Sequence, residues 1–268
     1  MFKKMGIMLS LALFVYFMVY AQQYDDENDF RVYPLDGGRS VGIMEYVGRR
    51  QAVRVPSRIH GIPVTRIGEG SFAGKQLISI TIPNSVTTID SGAFAGNPLT
   101  NITIASGNST FITRDFFLLS RDGNVIMYFG SEKDITIPNG VTTIQDGAFA
   151  DNQLTGVTIP NGVTTIGVQA FADNQLTSVT IPNSVTVIGN FAFTRNRLTS
   201  ITIPNSVRTI GPGAFADNQL TSITISNGVM TIFHSAFVRN RLTSVNIPRS
   251  VTTIQDGAFD RHVRIIRQ

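Results

Sequence analysis

The feature that most constrains this chain is a period. Leucine stands at 154, 176, 198, 220 and 242, and phenylalanine at 149, 171, 193, 215, 237 and 259, so both series advance by 22 residues. The unit reads L-T-S-[VI]-T-I-P-N-[SG]-V-T-T-I-G-x-x-A-F-A-D-N-Q, with an earlier copy from Leu77 to Pro98 and a degenerate first copy from Val53 to Phe72 that carries His60-Gly61-Ile62-Pro63 as an insertion. Eight copies of the frame are present. One unit offers about seven apolar positions, Leu176, Val179, Ile181, Val185, Ile188, Ala192 and Phe193 in one example, too few to enclose a core alone. Stacked unit on unit, each apolar column becomes a continuous stripe, so the chain must form a solenoid whose neighbours complete one another's core.

Within the unit, the alternation Val179-Thr180-Ile181 predicts a strand with Thr180 outward. Pro182 ends it, because proline has no N–H to give a ladder. Asn183-Ser184 makes a corner, Val185 to Ile188 is a second short extended piece, and the Gly189 region turns the chain into Ala192-Phe193, as a plain turn or a single helical turn. The expected fold is a repeat solenoid, mainly β with short turns or single helical turns: about eight 22-residue coils and one 33-residue irregular hairpin unit. Phe149, Phe171, Phe193, Phe215 and Phe237 are its core spine. Asn152, Asn174, Asn196, Asn218 and Asn240, each three residues after a phenylalanine, form a ladder, since a turn asparagine bonds to backbone groups. Lys75 and His262 replace asparagine in the first and last copies, as terminal repeats that act as caps would.

The ends and the interruption divide the chain. Residues 1–21 read as a secretory signal peptide: basic MFKK, an apolar run from Met5 to Val19, and Val19-Tyr20-Ala21 as the cleavage site, with an uncleaved signal-anchor as the alternative. Residues 22–52 are leader and capping strands, 53–98 the first two repeats, 99–131 an irregular hairpin insertion around Asp122-Gly123, 132–262 six tandem repeats, and 263–268 the end. The absence of cysteine excludes a thiol enzyme, a cysteine-ligated metal and a lipoprotein anchor. A formal charge of +4 and a pI near 9.6 would suit nucleic acid, but Lys3 and Lys4 leave with the signal. What remains is asymmetric: residues 190–268 hold nine arginines against three aspartates, and residues 22–189 are net acidic. The cluster Asp25, Asp26, Glu27 and Asp29 reads as a solvated leader, not a calcium loop.

The frame N-x-L-x-x-[VI]-x-I-P-x-x-V-x-x-I-G-x-x-A-F, over roughly residues 53–262, resembles the BspA-like, or Treponema pallidum-type, leucine-rich repeat. That resemblance implies a leucine-rich-repeat-like fold and an exported protein at the cell surface, on the outer membrane, secreted or in the periplasm. It implies binding of a protein or glycan ligand, adhesion to host matrix or cells above all. Asparagine stands here where many members carry cysteine.

No enzymatic constellation is present. The three histidines, His60, His234 and His262, lie in different repeats, and no HExxH, P-loop, dinucleotide fingerprint or GxSxG elbow occurs. No cofactor, metal or nucleic acid is expected, and no membrane span follows the signal. The candidate ligand face is the outward column Thr81, Thr158, Thr180, Thr202, Thr224 and Asn246, a hydroxyl ladder that could equally be there for stacking. At about 4.8 Å per coil it is roughly 40 Å long. Arg195 and Arg239 should pair with aspartates of neighbouring coils. Arg197, Arg208, Arg241 and Arg249 would form a basic edge for an acidic partner, or ordinary solvating charge. Phe191, Met230, Phe233 and His234 break the consensus in turns, either as partner anchors or as fillers of a wider coil. The alternative to an adhesin is a structural or assembly module of the envelope, self-associating through its ladder faces and last coil.

Overall fold

A computed structural model describes residues 24–268, so the expected signal peptide lies outside the described residues. The chain is a β-solenoid of about ten turns of some 22 residues. One face is a nine-stranded sheet. It starts with the antiparallel strands Phe111–Arg114, Phe117–Ser120 and Asn124–Tyr128 and continues as two-residue parallel rungs from Thr143–Ile144 to Thr253–Ile254. Ile144, Ile166, Ile188, Ile210, Ile232 and Ile254 pair in register down the stack. On the other face the first extended pieces pair in parallel: Ser200–Ile203 on Ser222–Ile225, Asp134–Thr136 on Gly156–Thr158, and Ser79–Ile82 between Ala52–Arg54 and Asn101–Ile104. Between these blocks the ladder opens at Val179-Thr180-Ile181, which is not strand. The predicted alternation survives there, because burial of Ile181 and partial burial of Val179 fix which way the side chains point.

Of the two expected forms, the chain enters Ala-Phe by a short turn and not by a helical one. Among the described residues the only helical pieces are the 3-10 turns Glu27–Asp29 and Asp36–Gly38. The reason is backbone sign, since a helix needs negative φ throughout. The residues two before and two after the spine phenylalanine take positive φ, as Gln169 (54°) and Asp173 (56°) do around Phe171.

The two ladders hold the coils together. Consecutive rings from Phe149 to Phe259 stack at centroid distances of 4.9, 5.1, 5.4, 5.5 and 5.2 Å and within 9° of parallel, a spacing at which aromatic pairs attract. Beside them each asparagine from Asn174 to Asn240 joins three segments, whereas Asn152, expected in the same ladder, bonds only to Ala150 O because no intact coil precedes it. Asn196 Oδ1 accepts the Leu176 N–H (3.0 Å), while its Nδ2 donates to Phe171 O of the preceding coil (2.8 Å) and to Phe193 O of its own (3.2 Å). Asn174, Asn218 and Asn240 repeat the pattern. The expected end substitutions are also bonded: His262 Nε2 lies 3.1 Å from Leu242 O, and Lys75 pairs with Glu45 at 3.0 Å.

Two further turns are legible only in the structure. Tyr46 stacks on Phe72 (5.5 Å) and Tyr128 on Phe149 (6.0 Å), each standing where a coil would place its spine phenylalanine. Each follows an antiparallel hairpin, and each hydroxyl bonds to backbone four residues on, at Arg50 and Glu132. A Cβ on Gly48 or Gly130 would collide with the tyrosine ring, which explains the Tyr-x-Gly in both. The interruption is therefore a second capping hairpin, set inside the solenoid. Leu99–Ile104 belongs to the stack before it, as its pairing with Ser79–Ile82 shows. All four residues of Phe117–Ser120 are buried, with Leu118 in the core of the first stack and Phe117 and Leu119 in that of the second.

One residue of the acidic leader departs from the expected solvation: Asp25 is buried, while Asp26 is exposed and Glu27 and Asp29 are half-buried. The Asp25 side chain is 2 % exposed, bonded to Arg50 Nη1 (2.7 Å) and the Arg54 N–H (2.8 Å); Asp26 caps the first 3-10 turn, and Glu27 accepts the His60 N–H. A buried carboxylate needs a cation and N–H donors, and this one has both.

Replacing Asn196 by alanine strands a buried N–H and at least two carbonyls and should cost about 3 kcal/mol. A urea-midpoint measurement would show this. A shift no larger than that of Thr202→Ala on the exposed face would mean that the ladder does not hold the coils.

Candidate functional site

Four columns of threonine run along the stack, and they differ in what their hydroxyls do; those of Thr143, Thr165, Thr209, Thr231 and Thr253 make no hydrogen bond among the described residues. Thr155, Thr221 and their like, after the leucine, donate to a backbone carbonyl one coil earlier (3.4 and 3.3 Å), as do Thr164, Thr186 and Thr252 after the valine (3.2, 3.2 and 3.3 Å). The predicted ligand column, like that of Thr143, is unbonded, and it is more exposed. Thr158, Thr180, Thr202, Thr224 and Asn246 are exposed and Thr81 is half-buried, and none of these side chains hydrogen-bonds within the described residues. Thr202 lies opposite Thr224, and Asn246 opposite Ile266, an exposed isoleucine that ends the row. The column has no aromatic or arginine of the kind that anchors protein interfaces.

The basic edge divides. Arg208 Nη1 donates to Gly228 O (3.1 Å) and Arg249 Nε to Gln268 O (3.0 Å), so these two clamp coils together. Arg197 and Arg241 are exposed with unpaired side chains, two coils apart. Beside them Arg195 pairs with Asp173 (3.2 Å) and Arg239 with Asp217 (3.1 Å), as expected. Hydrogen bonding to Asp173 raises the Arg195 pKa. These arginines and aspartates share one backbone position with φ between 52° and 58°, where the first stack has Gly74 and Gly96. Asp151 begins the column with no ion pair. Burial pushes its carboxyl pKa up, Asp173 pushes it further, and Arg195 pulls it back.

Two phenylalanines sit where their backbone favours glycine. Phe191 (φ 57°) is 40 % exposed with its ring over Gly213, while Met230 and His234 on a nearby coil are exposed and Phe233 is half-buried. Sequence reasoning singled these out. It missed Phe116 (φ 63°), which with Asp115 (φ 48°) turns the hairpin between Phe111–Arg114 and Phe117–Ser120. Phe116 is 52 % exposed, with its ring edge on Phe129 at 5.9 Å. The available signal was Asp115-Phe116 between two apolar runs, a turn position where Asn-Gly or Asp-Gly is usual.

Phe116 overhangs a cleft of about 490 Å³ where the first stack meets the second hairpin cap. Residues 92–100 form one wall and residues 147–153 the other, with Ile126 and Phe129 between. A second cavity of about 330 Å³ lies at the same junction, between Thr87–Ile89 and Ser120–Asn124. Neither sheet continues across this junction. The cap bonds to the first stack chiefly through Asn108, whose Nδ2 donates to Pro83 O and Val86 O (2.9 and 3.0 Å), and Ser91 Oγ reaches Asp146 O (2.8 Å).

Parallel coils of some 22 residues with stacked phenylalanines and an asparagine ladder make this a repeat solenoid. The sequence profile described as "BspA type Leucine rich repeat region" matches residues 59–161 and 142–265 with six copies, and the chain belongs to that family. Similar solved structures include the pneumococcal vaccine antigen PcpA (22% identity, TM-score 0.64, 78% of this chain and 60% of that one). A leucine-rich repeat protein from Eubacterium ventriosum is also similar (24% identity, TM-score 0.60, 79% and 64%). The chain thus spans less than two thirds of either, and at these identities the likeness is one of fold. No curated protein matches the chain. No helix among the described residues is long and apolar enough to cross a membrane.

The raised Asp151 pKa has a signed consequence. The folded chain holds this proton at pH values where the unfolded chain has lost it, so stability falls as pH rises through the range just above the ordinary carboxylate value. Asp151→Asn should therefore raise Tm at pH 7 and leave it unchanged at strongly acidic pH, where both side chains are neutral. An equal or lower Tm at pH 7 would show that the carboxylate is not penalised there.

Proposed function

We propose that this is an exported, non-catalytic binding protein acting at a cell surface, in adhesion to host matrix or host cells. The observation that supports it best is the exposed column of unpaired polar side chains from Thr81 to Asn246, held in register by the ladders. A rigid row of weak polar contacts suits multivalent recognition, in which many small contributions act together. The family membership agrees, since leucine-rich solenoids present extended surfaces to proteins. Arg197 and Arg241 add a salt-sensitive contribution toward acidic partners.

An envelope assembly module is the second reading. It is favoured by the strand Arg264–Arg267, which pairs on one side only and exposes Ile265 and Ile266.

Immobilised matrix proteins, heparin and bacterial envelope fractions, probed in parallel with residues 22–268, separate the two. Adhesion predicts retention by matrix, weakened by salt and by the double change Arg197→Gln, Arg241→Gln. Retention by envelope alone, together with survival of the protein when intact cells are treated with protease, would leave the assembly reading and remove adhesion.

A further inference from the structure

The junction cleft is an interrupted rung of the solenoid's own hydrogen-bond ladder. In an uninterrupted stretch the spine phenylalanine and the residue two beyond it donate their N–H groups to the next coil, and the following leucine donates to the next asparagine. Phe72 N reaches Ala93 O, Gly74 N reaches Ala95 O, and Leu77 N reaches Asn97 Oδ1, all at 2.9 Å. One coil later these are Phe94, Gly96 and Leu99, the wall of the cleft, and none of the three N–H groups has a partner within the described residues. On the opposite wall the acceptors are open. Asn174 Oδ1 takes the Leu154 N–H and Ala172 O takes the Asp151 N–H, but Asn152 Oδ1 takes none, and Ala150 O receives only the Asn152 side chain (3.0 Å). One wall offers donors and the other acceptors, because along the phenylalanine edge the ladder runs from N–H of one coil to C=O or asparagine of the next.

We propose that this cleft binds an extended peptide segment of a partner protein, which takes the place of the missing rung. Its carbonyls accept from Phe94, Gly96 and Leu99, its N–H groups donate to Ala150 O and Asn152 Oδ1, and one bulky apolar side chain enters beneath Phe116. The unpaired groups are those that pair with backbone or with an asparagine carboxamide between successive intact coils, which is why the occupant is a peptide and not a purely apolar molecule; strand addition of this kind draws affinity from the main chain and selectivity from a side-chain pocket. The cleft's volume lies within the range of ligand sites, and a junction between packed units is a usual place for one. Phe116 fits the same account. Its bulky side chain at φ 63° strains the turn, a cost that glycine would not carry. The proposal rests on the binding-protein reading and names a site for it away from the threonine column.

The chain has no tryptophan, so the indole of acetyl-Thr-Trp-Thr-amide reports binding without background. With residues 22–268 we expect a saturable blue shift of its fluorescence. Asn152→Ala and N-methylation of the probe backbone should each weaken it about five- to tenfold, the loss of one good hydrogen bond. Phe116→Gly should also weaken binding while leaving Tm unchanged or raised, a pairing that a merely structural phenylalanine would not give. Absence of saturable binding at millimolar peptide would overturn the proposal, as would equal binding of 3-methylindole, which has no backbone, or undiminished binding by folded Asn152→Ala. A dimer in sedimentation that Phe116→Gly dissociates would assign the cleft to a second copy and also overturn it. Matrix retention persisting in any of these cases would leave the adhesive reading standing on the threonine column.

Discussion

A single coil of this solenoid has no interior of its own, so its core is completed only by the coils before and after it, and register between coils is the quantity on which the structure depends. Apolar burial alone would tolerate sliding, because neighbouring stripes are chemically alike. The asparagine carboxamide removes that freedom: with one acceptor and two donors it fixes the leucine N–H of the preceding coil, a phenylalanine carbonyl there and one of its own. Buried polar groups are costly unless fully satisfied, so a coil shifted by one residue would strand several at once. The stacked phenylalanines and the paired isoleucines then fall into register.

Much of this was legible in the sequence because the repeats align themselves. The spine phenylalanines, the asparagine ladder, the two extended pieces and the Arg195–Asp173 and Arg239–Asp217 pairs follow from comparing one coil with the next. The period fails as a guide where a different residue does the same work. Tyr46 and Tyr128 occupy the spine position in capping turns, yet a search for phenylalanine at the repeat spacing passes over both. The buried role of Asp25 was hidden for another reason: charge density predicts exposure, and only the positions of Arg50 and the Arg54 N–H reveal that this carboxylate is the clamp of the first cap. Likewise the sequence left open whether a plain turn or a helical one precedes each spine phenylalanine, a choice set by positive φ at flanking residues such as Gln169 and Asp173.

Repetition also bears on where selectivity can reside. A surface position shared by six coils gives a partner six equivalent registers, so the threonine column offers avidity but little discrimination. Distinct recognition requires a place that occurs once. The second capping hairpin makes such a place, since it ends one stack and starts another within a single chain. Its strands divide their side chains between the two cores, Leu118 and Ile126 toward the first and Phe117, Leu119 and Val125 toward the second.

That division closes the two hydrophobic cores but cannot close the backbone ladders, because an antiparallel hairpin does not present its N–H and C=O groups with the spacing of a parallel coil. Tyr128 and Asn108 recover part of the pairing, through Ala148 O on one side and Pro83 O and Val86 O on the other. At the level of Phe94, Gly96 and Leu99 nothing replaces the lost coil. The unpaired donors, the half-used Asn152 and the exposed Phe116 are thus consequences of one topological fact, a cap placed in the interior of a solenoid. The same fact makes this the one junction among the described residues at which a foreign strand would find the hydrogen-bonding pattern of the protein's own repeats.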